Sequence, residues 1–330
     1  MEEKPARDSI STNLKLEESS VRKRRSDTKM GKDRFFCVNV NRYDSSKNFE
    51  VYRPASLDNP KDNAVMFITE GFMEKADILR SVDSCLIFWP ESVETPLDIK
   101  TKNAVAVVKS PHNAYCKFFQ ENGITNLPEK HSHKMVDGAY IEDGSAIGED
   151  CTIFPDAYIG CEVELGNNVY IGSGVKLLGR IRIGNNVVIR ENTVIGADGL
   201  TTDRAENGRA ITMPQFGGVV IEDDVQIGAN TVIARGAIDD TVLSRGCKID
   251  SSAFISHNVH IGEDSFIVGE TIMFGSSRVG DRVLISGNST LSNYVMIGDG
   301  TTIGQSSLVT KNIPAGKIAF GNPAKVVRDK

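Results

Sequence analysis

A chain of 330 residues with 40% hydrophobic and 25% charged residues is long enough for two domains, or for one elongated domain with an appendage. A net charge of −6 argues against a nucleic-acid partner, since backbone-driven binding needs a basic surface, but leaves room for an anionic small molecule in a local basic pocket. No apolar run reaches the length of a membrane helix, no signal-peptide pattern opens the chain, and six scattered cysteines without a CxxC pair suit reduced thiols in a cytoplasm.

Residues 1–33 are polar, with "SSVRKRRSDTK" at their centre. They bury too little to offset their ordering entropy and are expected to form a disordered tail, its basic run solvated rather than bound; Met30 is a second candidate start. Residues 34–124 read as a small α/β domain. "AVMFI" (64–68), "SCLIFW" (84–89) and "NAVAVV" (103–108) are strand-type apolar runs. Phe72, Ala76 and Leu79 fall at helical spacing between the first two. After the third, Ser110 can cap a helix, Pro111 suits its first turn and Gly123 can end it. A linker with Pro128, His131 and His133 follows.

From Ile141 an aliphatic residue returns every six positions, through Ile147, Ile153, Ile159 and Leu165 to Ile195, then from Ile221 to Ile233, then from Leu243 to Val309. Four residues after each lies a small or β-branched residue, such as Ala157, Val187, Thr231 or Ser289. Such a period fits neither an amphipathic helix nor an alternating strand. It fits a short strand and a sharp corner, repeated, with both marked residues pointing inward. Corners require residues that tolerate positive φ, which accounts for Asn168, Gly174, Asn186 and Asn258. Three strands make a triangular coil of about eighteen residues, and coils stack at about 4.8 Å.

The repeat breaks twice, at 196–219 and at 236–242, and excursions from a solenoid commonly build a binding surface. In "FISHNVHIG", His257 falls at a corner and His260 on a flat face, expected to point into solvent. The two diverge, so they make no metal pair, and no metal site is expected. One coil onward from His257 lies Gly275, so a base and a backbone N–H donor can face one cleft; Asp250, Asp239 or Asp240 can hold the imidazole.

The period resembles that of the hexapeptide-repeat acyltransferases, over residues 137–327. The resemblance implies a mainly β fold, a left-handed parallel β-helix preceded by the α/β domain and the tail. The γ-carbonic-anhydrase variant of that fold, with its three zinc-binding histidines, is poorly matched. "GADGL…MPQFGGVVIEDDVQIGANTVIARGAIDDTVL…KIDSSAFISHNVHIGED", with "VYRPASLDNPKDNAVMFITEGF" and "VVKSPHNAYCKFF" in the α/β segment, resembles the UDP-3-O-acylglucosamine N-acyltransferases of lipid A synthesis. That resemblance implies His257 as catalytic base, Gly275 as oxyanion donor and Asp250 as the preceding aspartate. It also implies a uridine-binding role for 34–124 through the aromatic Phe67. Three positions depart from the family: Ser251 stands for Asn, Tyr294 for a second histidine, and "EGFM" (70–73) for a uracil-contacting Asn-Pro-Lys-Tyr. Ser251, Tyr294 and Phe67 are thereby the residues expected to set substrate choice. "IPAGKIAFGNPAKVVRD" resembles the end of acetyl-CoA-dependent sugar acetyltransferases, and no helical tail for carrier-protein docking is expected after it.

These readings lead to a cytoplasmic homotrimeric acyltransferase with no bound cofactor. It would move an acyl group from a thioester, on acyl carrier protein or acetyl-CoA, to the amine of a UDP-amino sugar. An acetyl-CoA-dependent sugar O- or N-acetyltransferase for surface polysaccharide is the alternative, and a non-catalytic trimeric scaffold the third.

Overall fold

The computed structural model describes residues 34–125, 127 and 130–330; the expected tail of residues 1–33 and Pro128 of the linker lie outside the described residues. In the α/β part, β1 (Arg53–Pro54), β2 (Ala64–Phe67), β3 (Leu86–Pro90) and β4 (Ala104–Val108) form a parallel sheet in that order. Both faces are covered, which is why β2, β3 and β4 read as apolar runs. Met66, Ile87 and Trp89 pack on one side with Leu79 and Ile99, the latter from α1 (Leu97–Lys102). Val65, Leu86 and Phe88 pack on the other with Tyr115, Phe118 and Phe119 of α2 (Pro111–Glu121).

α2 begins with Pro111 in its first turn, although Ser110 makes no side-chain cap. It ends in a Schellman turn, in which Gly123 (φ 61°) donates to the Gln120 carbonyl and Ile124 N–H to that of Phe119 at 2.9 Å. The segment Glu70–Arg80 is helical as its spacing predicts, but is a 3-10 helix kinked at Phe72. That kink turns Phe72 out to solvent, while Leu79 is buried.

Within residues 133–329, three sheets of parallel strands form the sides of a prism, the left-handed β-helix, joined at its two ends by the antiparallel strands His133–Val136 and Lys325–Asp329. Within the uninterrupted runs each strand pairs with the one eighteen residues on, as in Tyr158 with Lys176 and Ile159 with Leu177; across the two breaks the offset grows to 38 and 22 residues, as in Ile181 with Val219 and Val219 with Thr241. The inward aliphatic residues make one continuous column from Ile159 to Val309. Only the first coil is open: Ile147 is 38% exposed, because no described coil covers it. Among the small polar residues on the inside, Thr193 donates to the Gly228 carbonyl at 2.8 Å and Ser265 to that of Gly280 at 2.8 Å, while the Ser277 hydroxyl has no partner among the described residues. Corner residues take positive φ as expected: Asn168 54°, Gly174 73°, Asn186 57°, Asn258 59°. Among the described residues no helix is long and apolar enough to cross a membrane.

The first break is an excursion carrying an antiparallel hairpin, Thr202–Arg204 with Ala210–Thr212. It leaves the prism and lies on α2, where Ile211, Met213 and Phe216 bury against Phe36, Phe118 and Phe119. A second seam forms where Asp58 reaches Arg278 at 3.2 Å and Asn59 reaches the Asp239 carboxylate at 3.2 Å. This seam corrects the expectation for His260. Its side chain does leave a flat face, yet it is half-buried rather than solvated. Burial and the neighbouring Arg278 push its pKa below the ordinary 6.5, with Asp239, Asp240 and Asp58 opposing.

Candidate active site

The two breaks converge on His257. It occupies the turn between Phe254–Ile255 and His260–Ile261, half-buried. Three backbone or side-chain groups hold its ring. Gly275, one coil on, lies so close that a Cβ there would sit 2.6 Å from Cε1 and 2.7 Å from Nε2 of His257. Gly199, from the first break, lies against the opposite edge, where a Cβ would come within 2.8 Å of the histidine Cβ and Cδ2. Only glycine fits either place without moving the imidazole.

The third group is Asn258, whose Oδ1 lies 3.1 Å from His257 Nδ1. Its amide orientation follows from its partners. Asn258 Oδ1 accepts from Ala237 N–H at 2.9 Å, and Nδ2–H donates to the Asp239 carbonyl at 2.8 Å. An oxygen therefore faces Nδ1, so Nδ1 carries a proton, and in the neutral ring Nε2 is the nitrogen left with the lone pair. The edge bearing Nε2 faces Gly275. This is the state in which an imidazole accepts a proton from a nucleophile.

None of the three aspartates expected to hold the imidazole does so within the chain. Asp250 ends the strand Lys248–Ile249 at another corner, one prism face away, and accepts from Ser251 N–H at 2.7 Å and Gly269 N–H at 3.2 Å. Asp240 anchors the second break, accepting from Arg180 at 2.7 Å and Gly218 N–H at 2.7 Å. Asp239 contributes through its carbonyl, by way of Asn258. Asn258 and Gly199 were missed in the sequence. Asn258 already had a complete explanation as a corner residue, and Gly199 lies outside the lattice where spacing has no meaning.

The remaining expected residues divide between locations. Tyr294 shares the His257 corner: its N–H donates to the Gly275 carbonyl at 3.2 Å, its φ is 63°, and its side chain is 66% exposed. Ser251 stays with Asp250, lining an open groove of about 600 Å³ with Arg190, Gln226, Lys248 and Phe266. Phe67 lies in the α/β part, edge-on to His112 at 5.4 Å and tilted over Tyr115 at 4.8 Å. Near the base, burial pushes the Asp198 carboxyl up, with Arg235 opposing. No group of three or more potential metal ligands occurs among the described residues.

Residues 144–179 and 162–197 match the bacterial transferase hexapeptide family (six repeats). A UDP-3-O-acylglucosamine N-acyltransferase of Methylobacillus flagellatus is 35% identical over 294 residues, which cover 80% of this chain and 77% of that protein. The chain belongs to the UDP-3-O-acylglucosamine N-acyltransferase family. The homonymous protein of Methylorubrum populi is 42% identical over 141 residues; this match spans 43% of the chain but only 40% of that relative's length. A solved UDP-N-acetylglucosamine acyltransferase of Campylobacter jejuni shares the fold, with TM-score 0.53 and 23% identity, covering 59% of this chain and 75% of that one.

Proposed function

We propose that the chain transfers an acyl group from a thioester to the amine of a UDP-amino sugar, with His257 as general base. The observation that carries this reading is the imidazole held as its Nδ1–H tautomer, with Nε2 free among the described residues and turned to the Gly275 backbone. The amine attacks the thioester carbonyl, and Nε2 takes its proton as the C–N bond forms. The Gly275 N–H donates to the oxyanion of the tetrahedral intermediate. That intermediate collapses, the C–S bond breaks, and the imidazolium returns the proton to the departing thiolate.

Family membership supports the nucleotide-sugar acceptor and the thioester donor, acyl carrier protein in the first instance. Phe67 is the proposed contact of the nucleobase. Tyr294, exposed at the same corner as Gly275, is the proposed contact of the acyl chain, and Ser251 belongs to the acceptor side. A homotrimer in the cytoplasm is the proposed assembly. Exposed Phe254 and Ile272, paired side by side on one prism face, support it, since contiguous apolar surface marks an interface.

The test is release of free thiol from acyl-carrier-protein and acetyl-CoA donors in the presence of UDP-amino sugars. The wild-type chain is expected to release thiol only with acceptor present. His257→Ala is expected to abolish release while keeping the unfolding midpoint. Transfer by the His257→Ala chain would refute the assignment of the base.

A further inference from the structure

We propose that the excursion Asp198–Gly218 is a positioning element that carries ligand seating at Phe67 to the imidazole of His257. The inference rests on the reading of His257 as the base. Asp203 at the outer end and Gly199 at the inner end are its working contacts, and both are positioning residues rather than catalytic ones.

The inner end touches the imidazole in two ways. Gly199 lies directly against the ring. On its return, the same excursion donates from Phe216 N–H to the Ala237 carbonyl at 2.8 Å and from Gly217 N–H to that of Gly236 at 3.0 Å. Ala237 N–H in turn holds Asn258 Oδ1, the acceptor that sets the tautomer of His257. One segment thus governs both the packing and the orienting partner of the ring.

The outer end has no place in the prism and is clamped to α2 instead. Asp203 pairs with His112 Nδ1 at 2.9 Å, Asn113 donates to the Arg204 carbonyl at 2.6 Å, and Lys117 pairs with Glu206 at 3.3 Å. Burial would raise the Asp203 carboxyl, but donation from Arg204 N–H and His112 outweighs it and leaves the group below its ordinary value. His112 is also the ring against which Phe67 packs. Beside them the hydroxyl of fully buried Tyr115 has no hydrogen-bond partner among the described residues. The half-buried ring of Phe67, edge-on to His112, offers a planar heterocycle a stacking surface. A ring seated there bears on His112 and hence on Asp203. The His112–Asp203 pair is partly exposed, so it is weak enough to break and remake, as a transmitting contact must be.

The experiment follows the ring carbon–proton resonances of His257 in the full chain, assigned by their loss in His257→Ala, during titration with UDP. In the wild-type chain UDP is expected to shift and sharpen them. In Asp203→Ala, UDP still binds but the His257 resonances no longer respond. There kcat falls by about 10²-fold with KM little changed, the scale of a misplacement of about 1 Å. Asp203→Asn, which keeps an acceptor for His112, recovers most of both readouts. Gly199→Ala lowers kcat similarly. Should Asp203→Ala fail to fold, Asn113→Ala trims the same clamp and makes the same test. Wild-type kcat and wild-type UDP response in both the Asp203→Ala and Gly199→Ala chains would overturn the proposal, as would His257 resonances that ignore UDP in the wild-type chain. Either result leaves the assignment of the base standing; only an active His257→Ala chain removes that assignment.

Discussion

At the scale of single residues, the site turns on an amide where a carboxylate was expected. Asn258 holds Nδ1 of His257 without adding a negative charge, and its own orientation is locked by the Ala237 N–H and the Asp239 carbonyl. Asn258→Ala is therefore expected to release the ring and its tautomer, lowering kcat by about 10²-fold with little change in KM; steady-state kinetics beside a thermal unfolding curve check this. Tyr294 presents the opposite case, a bulky side chain held at φ 63°. The left-handed region costs an L-residue about 1–2 kcal/mol, so Tyr294→Gly is expected to stabilise the chain by about 1 kcal/mol in denaturant titration while removing the exposed aromatic from the corner. Asparagine at a corner satisfies a backbone rule completely. Nothing in the sequence therefore signals that Asn258 has a second task, whereas the neighbouring aspartates stand out as partners for the imidazole.

At the scale of elements, the seam between the α/β part and the prism is where periodicity stops being informative. The lattice correctly turns His260 outward, but outward from that face is toward Asp58 and Arg278 rather than water. That contact joins residues far apart in the chain, and a repeat encodes only its nearest coils. The consequence is a pH dependence. His260 has a depressed folded pKa, so the unfolded chain binds the proton more readily. The stability gained by keeping it neutral is complete above its ordinary value of 6.5 and is lost as pH falls toward the folded value. Asp58, lowered by its hydrogen bond to Lys75, loses its contribution only in more acid solution, as pH falls through its folded pKa. The unfolding temperature should thus decline as pH falls below about 6.5, and His260→Gln should flatten that slope.

At the scale of the whole molecule, stability comes from coil stacking on coil, and this was legible in full. One aliphatic residue in six, small residues two positions before the next, and corner residues suited to positive φ all agree, so local and global preferences point to one structure. The helix at 111–121 was legible for the same reason, through its proline start and glycine stop. Sites built from excursions are legible only as gaps, since nothing periodic fixes where they land. The stacking implies a gradient of sensitivity along the prism. Ile285→Ala, wholly buried in the later coils, is expected to cost about 2–5 kcal/mol. Ile147→Ala, in the open first coil, should cost less than about 1 kcal/mol. Equilibrium unfolding of the two variants compares them directly.

Ile195 pairs with Ile233, and Ile233 with Ile255, so inward residues again meet inward residues beyond both breaks. Each insertion begins and ends at a corner without dephasing the prism. A single residue added inside any six-residue step would rotate every later aliphatic group off the axis. A residue added at the tip of the 202–212 hairpin would change only loop entropy, which grows by about 0.6 kcal/mol for a doubling of length. The chain therefore tolerates length variation where its chemistry is assembled and forbids it where its shape is held, so the catalytic corner can be rebuilt by insertion and deletion without a cost to the column beneath it.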